Sequence, residues 1–502
     1  MAPLFNWLQQ RAAGVLLHPT SLPGSTGIGT LGREARLFID FLNDAGLKTW
    51  QVCPLGPTGF GDSPYQCFSA FAGNPYLIDL ETLVDRGLLA GADLAKLRRL
   101  PAERVDYGAQ WILRWPILRK AFTAFVCDGS RAEKNAFATF KKSKKEWLDS
   151  YTRFIALKQR FDSCSWPYWP KELRYFAQAK KAVPKSELRE EMEAQAWYQY
   201  EFFRQWLALK EYANTRGIEI FGDIPIFVAM DSADVWAHPD LFEMDGDLNP
   251  RSVAGVPPDY FSADGQLWGN PLYDWKKHKE TGYAWWLARL RACFELFDIV
   301  RIDHFRGFDE YCKIPPDATN ARVHEWAPGP GLDIFEAIKD EFPGAKLVAE
   351  DLGIITDSVR NLVEASGLPG MYVLQFGFEG AKNYLPHNGI QNSVLYPGTH
   401  DNDTSWGWFK RAPPPVQDFF RRYMRVTGDT VPWDIIRAGY AATSCLFVVP
   451  MQDLLSLGSE ARFNTPGQPA GNWQWRLTLD QLDILRNETA AYLRDLGSLY
   501  ER

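Results

Sequence analysis

Long apolar runs are missing from this chain. The longest, about Cys445 to Met451, falls far short of the roughly 20 residues a membrane-spanning helix needs, and Met1 to Arg11 lacks the basic head and apolar stretch of an export signal. A soluble, unexported, cytoplasmic protein is expected. Cysteine is sparse: Cys53, Cys67, Cys127, Cys164, Cys293, Cys312 and Cys445 are odd in number and show no paired spacing, which argues against a disulfide framework or a cysteine-based zinc site. Blocks of like charge are also missing. The 55 Lys and Arg against 62 Asp and Glu give a formal charge of -7, and the one short basic run, Lys141 to Lys145, reads as a solvated helix face, not a nucleic-acid surface. No internal repeat or low-complexity tract is present.

Two motif matches fail on their details. Gly27-Ile28-Gly29-Thr30-Leu31-Gly32 matches the dinucleotide-binding glycine pattern, but Pro19 and Pro23 separate it from the preceding strand. The next strand ends in Pro54-Leu55-Gly56-Pro57 with no acidic residue to hold a ribose. Asp245 to Asn249 resembles the start of a calcium loop, yet its sixth position is Pro250 and its twelfth Val256, where Gly and Glu are needed. His304 and His400 each sit beside a carboxylate without the spacing of a metal site, so hydrogen bonding to a polar substrate is the better employment for them. No metal, cofactor, nucleic-acid partner or obligate protein partner is expected, and a monomer is.

What the chain has in quantity is aromatic residues: 20 Trp, 20 Tyr and 32 Phe. They suit a large core, with some rings left to cover the apolar faces of sugars in a cleft. Eight strand-like runs follow one another: Gly14 to His18, Thr49 to Leu55, Ile218 to Phe227, Ile299 to Asp303, Lys346 to Glu350, Met371 to Phe376, Ser393 to Tyr396 and Ser444 to Pro450. Several lack polar alternation, as strands buried on both faces do, and helical stretches such as Arg33 to Ala45, Asp333 to Phe342, Thr356 to Ser366 and Asp480 to Leu496 follow many of them. The pattern predicts a single α/β domain over 1–502, a (β/α)8 barrel, with an open doubly wound sheet as the alternative. Residues 80–215 read as a largely helical insertion between the second and third strands. Residues 228–282 read as a substrate-covering loop insertion, with Asp245 to Trp275 as loop rich in Gly, Pro, Asp and aromatics.

Three of the apolar runs end in acid. Asp303 closes the fourth, Glu350 the fifth, and Asp401 follows the seventh, which places all three at the mouth of a barrel. Retaining cleavage of a glycosidic bond needs such a set: a carboxylate to attack the anomeric carbon and a carboxylic acid to protonate the departing oxygen. Because side chains alternate along a strand, Arg301 shares a face with Asp303, and Asp351 points away from Glu350. Arg301 is expected to keep Asp303 ionised, and burial with nearby negative charge to keep Glu350 protonated. Asp223, inside an apolar strand, needs a buried partner, for which Arg301 is the candidate.

The stretches Val300 to Phe305, Val348 to Gly353 and Gly398 to Asp403 resemble those of the α-amylase superfamily. His18 to Gly32, Pro54 to Asn74, Gly255 to Tyr273 and Arg462 to Trp475 extend the resemblance to the amylomaltase family, the 4-α-glucanotransferases or disproportionating enzymes, over residues 14–476. The resemblance implies transfer of α-1,4-glucan segments between malto-oligosaccharides. Asp303 would be the nucleophile, Glu350 the acid/base and Asp401 the carboxylate stabilising the oxocarbenium-like transition state. It further implies sugar contacts from Ser63, Tyr65, Asp223, Arg301, His304, His400, Gln266, Trp268 and Asn464, with Phe60 and Tyr260 as secondary glucan contacts. Some relatives have Tyr where this chain has Phe60, so a hydroxyl contact there would be lost. Members lack the calcium site and C-terminal β-domain of amylases. The competing readings are an α-glucan hydrolase using the same carboxylates and a non-catalytic glucan-binding protein.

Overall fold

The computed structural model describes residues 3–258, 263–353 and 355–502, apart from the side chain of Phe60. Eight strands form one parallel sheet: β1 (Ala12–Leu16), β2 (Thr49–Gln51), β3 (Glu219–Pro225), β4 (Ile299–Asp303), β5 (Leu347–Ala349), β6 (Gly370–Val373), β7 (Ser393–Tyr396) and β8 (Leu446–Pro450). Neighbours run in chain order, with β8 pairing back onto β1. The seam between β5 and β6 is bridged where the Ala349 N–H donates to the Pro369 carbonyl at 2.9 Å. Strand order never reverses, so there is no topological switch point, and the sheet is a (β/α)8 barrel, not a doubly wound sheet.

Five of the strands end earlier than their apolar runs, and those ending at Asp303, Tyr396 and Pro450 end where expected. β2 stops at Gln51, ahead of Pro54, and β6 stops at Val373, after which Leu374–Phe378 turns into a short helix. The reason for the second is on the neighbouring strand. β6 pairs with β7 only as far as Val373 opposite Tyr396, and Pro397 has no N–H with which to extend the ladder.

Inside the barrel the alternation of side chains produces two layers. Leu16, Phe221, Ile299, Val348, Met371, Val394, Tyr396, Leu446 and Val448 belong to one buried apolar cluster. One repeat further along the same inner faces come Asp223, Arg301 and Glu350, and Asp303 follows Arg301 by one more repeat. The apolar layer fills the barrel and the charged layer sits on it toward the C-terminal rim, where the rule for this fold puts chemistry.

Between β2 and β3 run the helices Tyr107–Asp128, Arg131–Ser143, Lys145–Arg160 and Lys185–Asn214. The stretch after β3 that reads as loop holds more structure than expected. Val253–Val256 and Gln266–Pro271 are antiparallel strands, and they join Glu310–Ile314 and Glu325–Pro328 in a separate four-stranded sheet. These strands are short, broken by Gly and Pro, and completed by partners beyond β4, so local patterning does not reveal them. Residues 259–262, and with them Tyr260 and Phe261, lie outside the described residues. No helix among the described residues is long and apolar enough to cross a membrane.

Gly222 lets Phe297, which follows the helix Ala284–Leu296, pack onto β3 beside Asp223. A Cβ at Gly222 would lie 2.2 Å from ring atoms of buried Phe297. Gly222→Ala is therefore expected to cost about 1–3 kcal/mol through overpacking, read as a lowered urea midpoint and Tm. An unchanged midpoint would show that this Phe297-to-strand contact yields freely.

Candidate active site

The centre of the charged layer is a guanidinium. Arg301 lies opposite Asp223 in the β3–β4 register. Its Nη1 donates to Asp223 Oδ2 at 2.6 Å, Nη2 sits 2.8 Å from Asp303 Oδ1, and Nε donates to Met371 Sδ at 3.2 Å. Arg301 and Asp223 are 4% and 1% exposed, so the expected pair is present and fully desolvated. The Tyr65 hydroxyl donates to the same Asp223 oxygen at 2.8 Å. The other carboxylate oxygen of Asp223 is buried with no partner among the described residues.

Asp303 closes β4, and Glu350 immediately follows β5. Glu350 accepts two backbone bonds, from His304 N–H at 2.8 Å on Oε2 and Leu352 N–H at 2.9 Å on Oε1. His304 offers its N–H because its backbone is left-handed, φ 57° and ψ 50°, an uncommon conformation for a residue other than glycine. Its ring lies edge-on to Trp268 at 4.8 Å, and Trp268 Nε1 donates to Gln266 Oε1 at 3.1 Å. The small sheet thus delivers Gln266 and Trp268 to the rim beside β4.

Asp401 is held from a different direction. Its Oδ1 accepts from Asn464 Nδ2 at 2.6 Å, and Oδ2 lies 3.4 Å from His400 Nε2. His400 stacks on Tyr65 with ring centres 5.0 Å apart, and both rings approach Trp473. Ser63 shapes the turn, its hydroxyl accepting the Tyr65 N–H at 3.2 Å. The structure therefore brings Tyr65, Asp223, Arg301 and Asp303 into direct contact. It joins Glu350 to His304, His304 to Trp268, Trp268 to Gln266, and Asp401 to His400 and Asn464. Phe60 begins a short helical turn, and its side chain lies outside what is described. Sequence alone assigns no role to Trp473 or Met371. Trp473 lies inside a stretch that carries the family resemblance, whereas a methionine in an apolar strand carries no signal of its own.

The titrations separate the two rim carboxyls. Burial raises Glu350 to about 7, Arg301 and the two backbone N–H groups pull against it, and the Asp303 charge adds to it. For Asp303 the expectation that Arg301 secures the ionised form is met only in part. Burial raises this carboxyl, Arg301 opposes that, and Asp223 and Asp401 push it up again. Arg301 offsets the desolvation without reversing it, because it is already shared with Asp223. Asp351 points away, as alternation requires, accepting the Met371 N–H at 2.7 Å. His304 stays neutral near pH 7, burial and Arg306 lowering it to about 3. Among the described residues no group of three or more His, Cys, Asp or Glu is arranged to hold a metal ion. Asp245 spends Oδ1 on the N–H groups of Asp247 and Asn249, both at 2.9 Å.

Residues 17–481 match the family described as 4-alpha-glucanotransferase. The 4-alpha-glucanotransferase of Thermus thermophilus is 49% identical over 98% of this chain and 99% of its own length, and that of Synechocystis is 44% identical over 97% and 98%. Among solved structures, the amylomaltase of Streptococcus agalactiae in complex with acarbose superposes with a TM-score of 0.94 at 39% identity, covering 98% of this chain and 100% of that one. The amylomaltase of Corynebacterium glutamicum shares the fold, with a TM-score of 0.79 at 17% identity over 98% of this chain and 75% of that one.

The buried ion pair and the exposed carboxylate differ in what their loss should do. Asp223→Ala leaves Arg301 desolvated with half its charge unanswered and is expected to cost about 3–5 kcal/mol. Asp401→Ala, at a side chain 45% exposed, should cost about 1 kcal/mol or less. Urea unfolding of the two variants checks the ranking, and equal losses would contradict the placement of Arg301 as the buried centre.

Proposed function

The chain belongs to the 4-alpha-glucanotransferase family, and from that premise we propose that it moves α-1,4-glucan segments between malto-oligosaccharides by a retaining double displacement at this rim. The observation that carries the assignment of roles is the divided environment of Asp303 and Glu350. Asp303 has a guanidinium nitrogen at 2.8 Å, while the hydrogen-bond donors to Glu350 among the described residues are neutral backbone N–H groups, and it holds its proton to about pH 7. The Asp303 charge helps keep the proton on Glu350.

In the first displacement an Asp303 oxygen attacks the anomeric carbon, the glycosidic C–O bond breaks, and the Glu350 proton passes to the departing 4-oxygen. In the second, Glu350 takes the proton of an acceptor 4-hydroxyl, whose oxygen displaces Asp303. Asp401, partly exposed and oriented by Asn464, supplies negative charge where positive charge develops on the sugar ring. Tyr65, Asp223, Arg301, His304 and His400 grip the glucose at the broken bond, with Ser63, Gln266, Trp268 and Asn464 around it, and Phe60 and Tyr260 serving longer chains. The helical insertion 80–215 and the covering insertion 228–282 flank this mouth within one catalytic domain, and exclusion of water by them favours transfer. The enzyme acts in the cytoplasm as a monomer.

Maltotriose tests the reaction. The expected products are glucose and a ladder of oligomers longer than the substrate; shortening alone would make the protein a hydrolase. The proton on Glu350 sets the pH dependence. Since the protonated form is required in the first displacement and is lost as pH rises through about 7, donor kcat/KM should fall about tenfold per pH unit above that value. A profile flat to pH 9 would remove Glu350 from the role of acid.

A further inference from the structure

Asp401 is the most exposed of the three rim carboxylates discussed above, with 45% of its side chain open. An aspartate so exposed is ordinarily free to rotate. Here it is not, and the restraint comes from the segment that follows β8. Asn464 Nδ2 donates to Asp401 Oδ1 at 2.6 Å. Arg462 donates from Nε to the Asn464 carbonyl at 2.6 Å and from Nη2 to the Asp401 carbonyl. The three bonds close a ring: arginine to the aspartate backbone, aspartate carboxylate to the asparagine amide, asparagine backbone to the arginine. Both the main chain and the side chain of Asp401 are thereby fixed to one another through a rigid planar fork.

The way Arg462 uses its charge supports this reading. It is half-buried, and burial lowers its pKa, yet among the described residues it forms no ion pair. The nearby Asp403 carboxylate is taken by Arg411 and by the Ser459 hydroxyl, the latter at 2.7 Å. A half-buried guanidinium directed at two carbonyls fixes positions, and Ser459 grips the other end of the same 401–403 turn. We propose that Arg462 is a positioning residue that holds the Asp401 carboxylate in the orientation the transition state requires, acting through Asn464 and the Asp401 backbone and touching no reacting atom.

This inference rests on the role assigned to Asp401 above, and the experiment keeps the two apart. Arg462→Lys retains the charge but gives up the planar fork whose separate Nε and Nη2 reach the Asn464 and Asp401 carbonyls. With an α-maltosyl fluoride donor, so that slow variants stay measurable, it is expected to lower kcat by about ten- to hundredfold while donor KM stays within about threefold. Introduced into Asp401→Asn, the same change should cost less than about threefold, because the group it positions is already lost. Arg462→Met repeats the cycle without the charge; if it does not fold, the lysine pair decides alone. An equal factor in both backgrounds, or a rise in KM with kcat unchanged, overturns the positioning role. Full activity in Asp401→Asn would instead remove the role of Asp401 itself.

Discussion

A positive charge inside a barrel is the constraint on which this site depends. Taking an arginine out of water costs several kcal/mol unless its hydrogen-bonding groups are met and an opposite charge lies close. Arg301 meets that requirement by drawing on three strands: Asp223 from β3, Asp303 from its own β4 and the Met371 sulfur from β6. The ends of these strands are thereby tied to one point. Asp223 in turn fixes Tyr65, and Tyr65 carries His400 on its ring face, so a single buried cation orders groups from loops far apart in the chain.

The same cation governs how three rim carboxylates coexist. Burial pushes both Asp303 and Glu350 toward the protonated form, and Arg301 opposes it at each. The cost is distributed unevenly: Asp303 has the guanidinium at hydrogen-bonding distance, while Glu350 feels it only at longer range and settles near pH 7. On the proposed reaction, two carboxyl groups take opposite duties because their neighbours differ. The left-handed backbone at His304 belongs to the same arrangement, since that conformation aims the N–H at Glu350 and brings the ring edge to Trp268.

Much of this is legible in the order of residues. The eight barrel strands stand in the sequence as apolar runs, and the inner-face alternation of Ile299, Arg301 and Asp303 follows from the period of a strand. The Asp223–Arg301 pair follows from the need to answer a buried charge. Where the reading stops is equally physical. Val253–Val256 and Gln266–Pro271 acquire their structure from partners after β4, and no local pattern encodes a non-local pairing. The sign of the Asp303 shift depends on how one guanidinium is shared between two carboxylates, and Met371 looks like any core residue until its sulfur is found against Arg301. Asn464, read as a sugar contact, proves to have its amide on the Asp401 carboxylate.

That last contact exposes a division within the site. Asp223, Arg301, Asp303 and Glu350 stand on adjacent strands of a packed barrel, where sliding one past another would break ladder bonds and bury unpaired charge. Asp401, His400, Tyr65 and Trp473 come from loops that meet only at the mouth, joined by ring stacking and by the Arg462–Asn464 clasp. On the proposed reaction the enzyme must release one glucan and admit another while the first half of the sugar stays bonded to Asp303. The covalent step needs fixed distances and belongs on the strands; the exchange of chains needs an opening and belongs where the cleft is most exposed. A clasp made of hydrogen bonds to carbonyls suits that boundary, because it restrains Asp401 during the chemistry without closing the mouth through which the acceptor arrives.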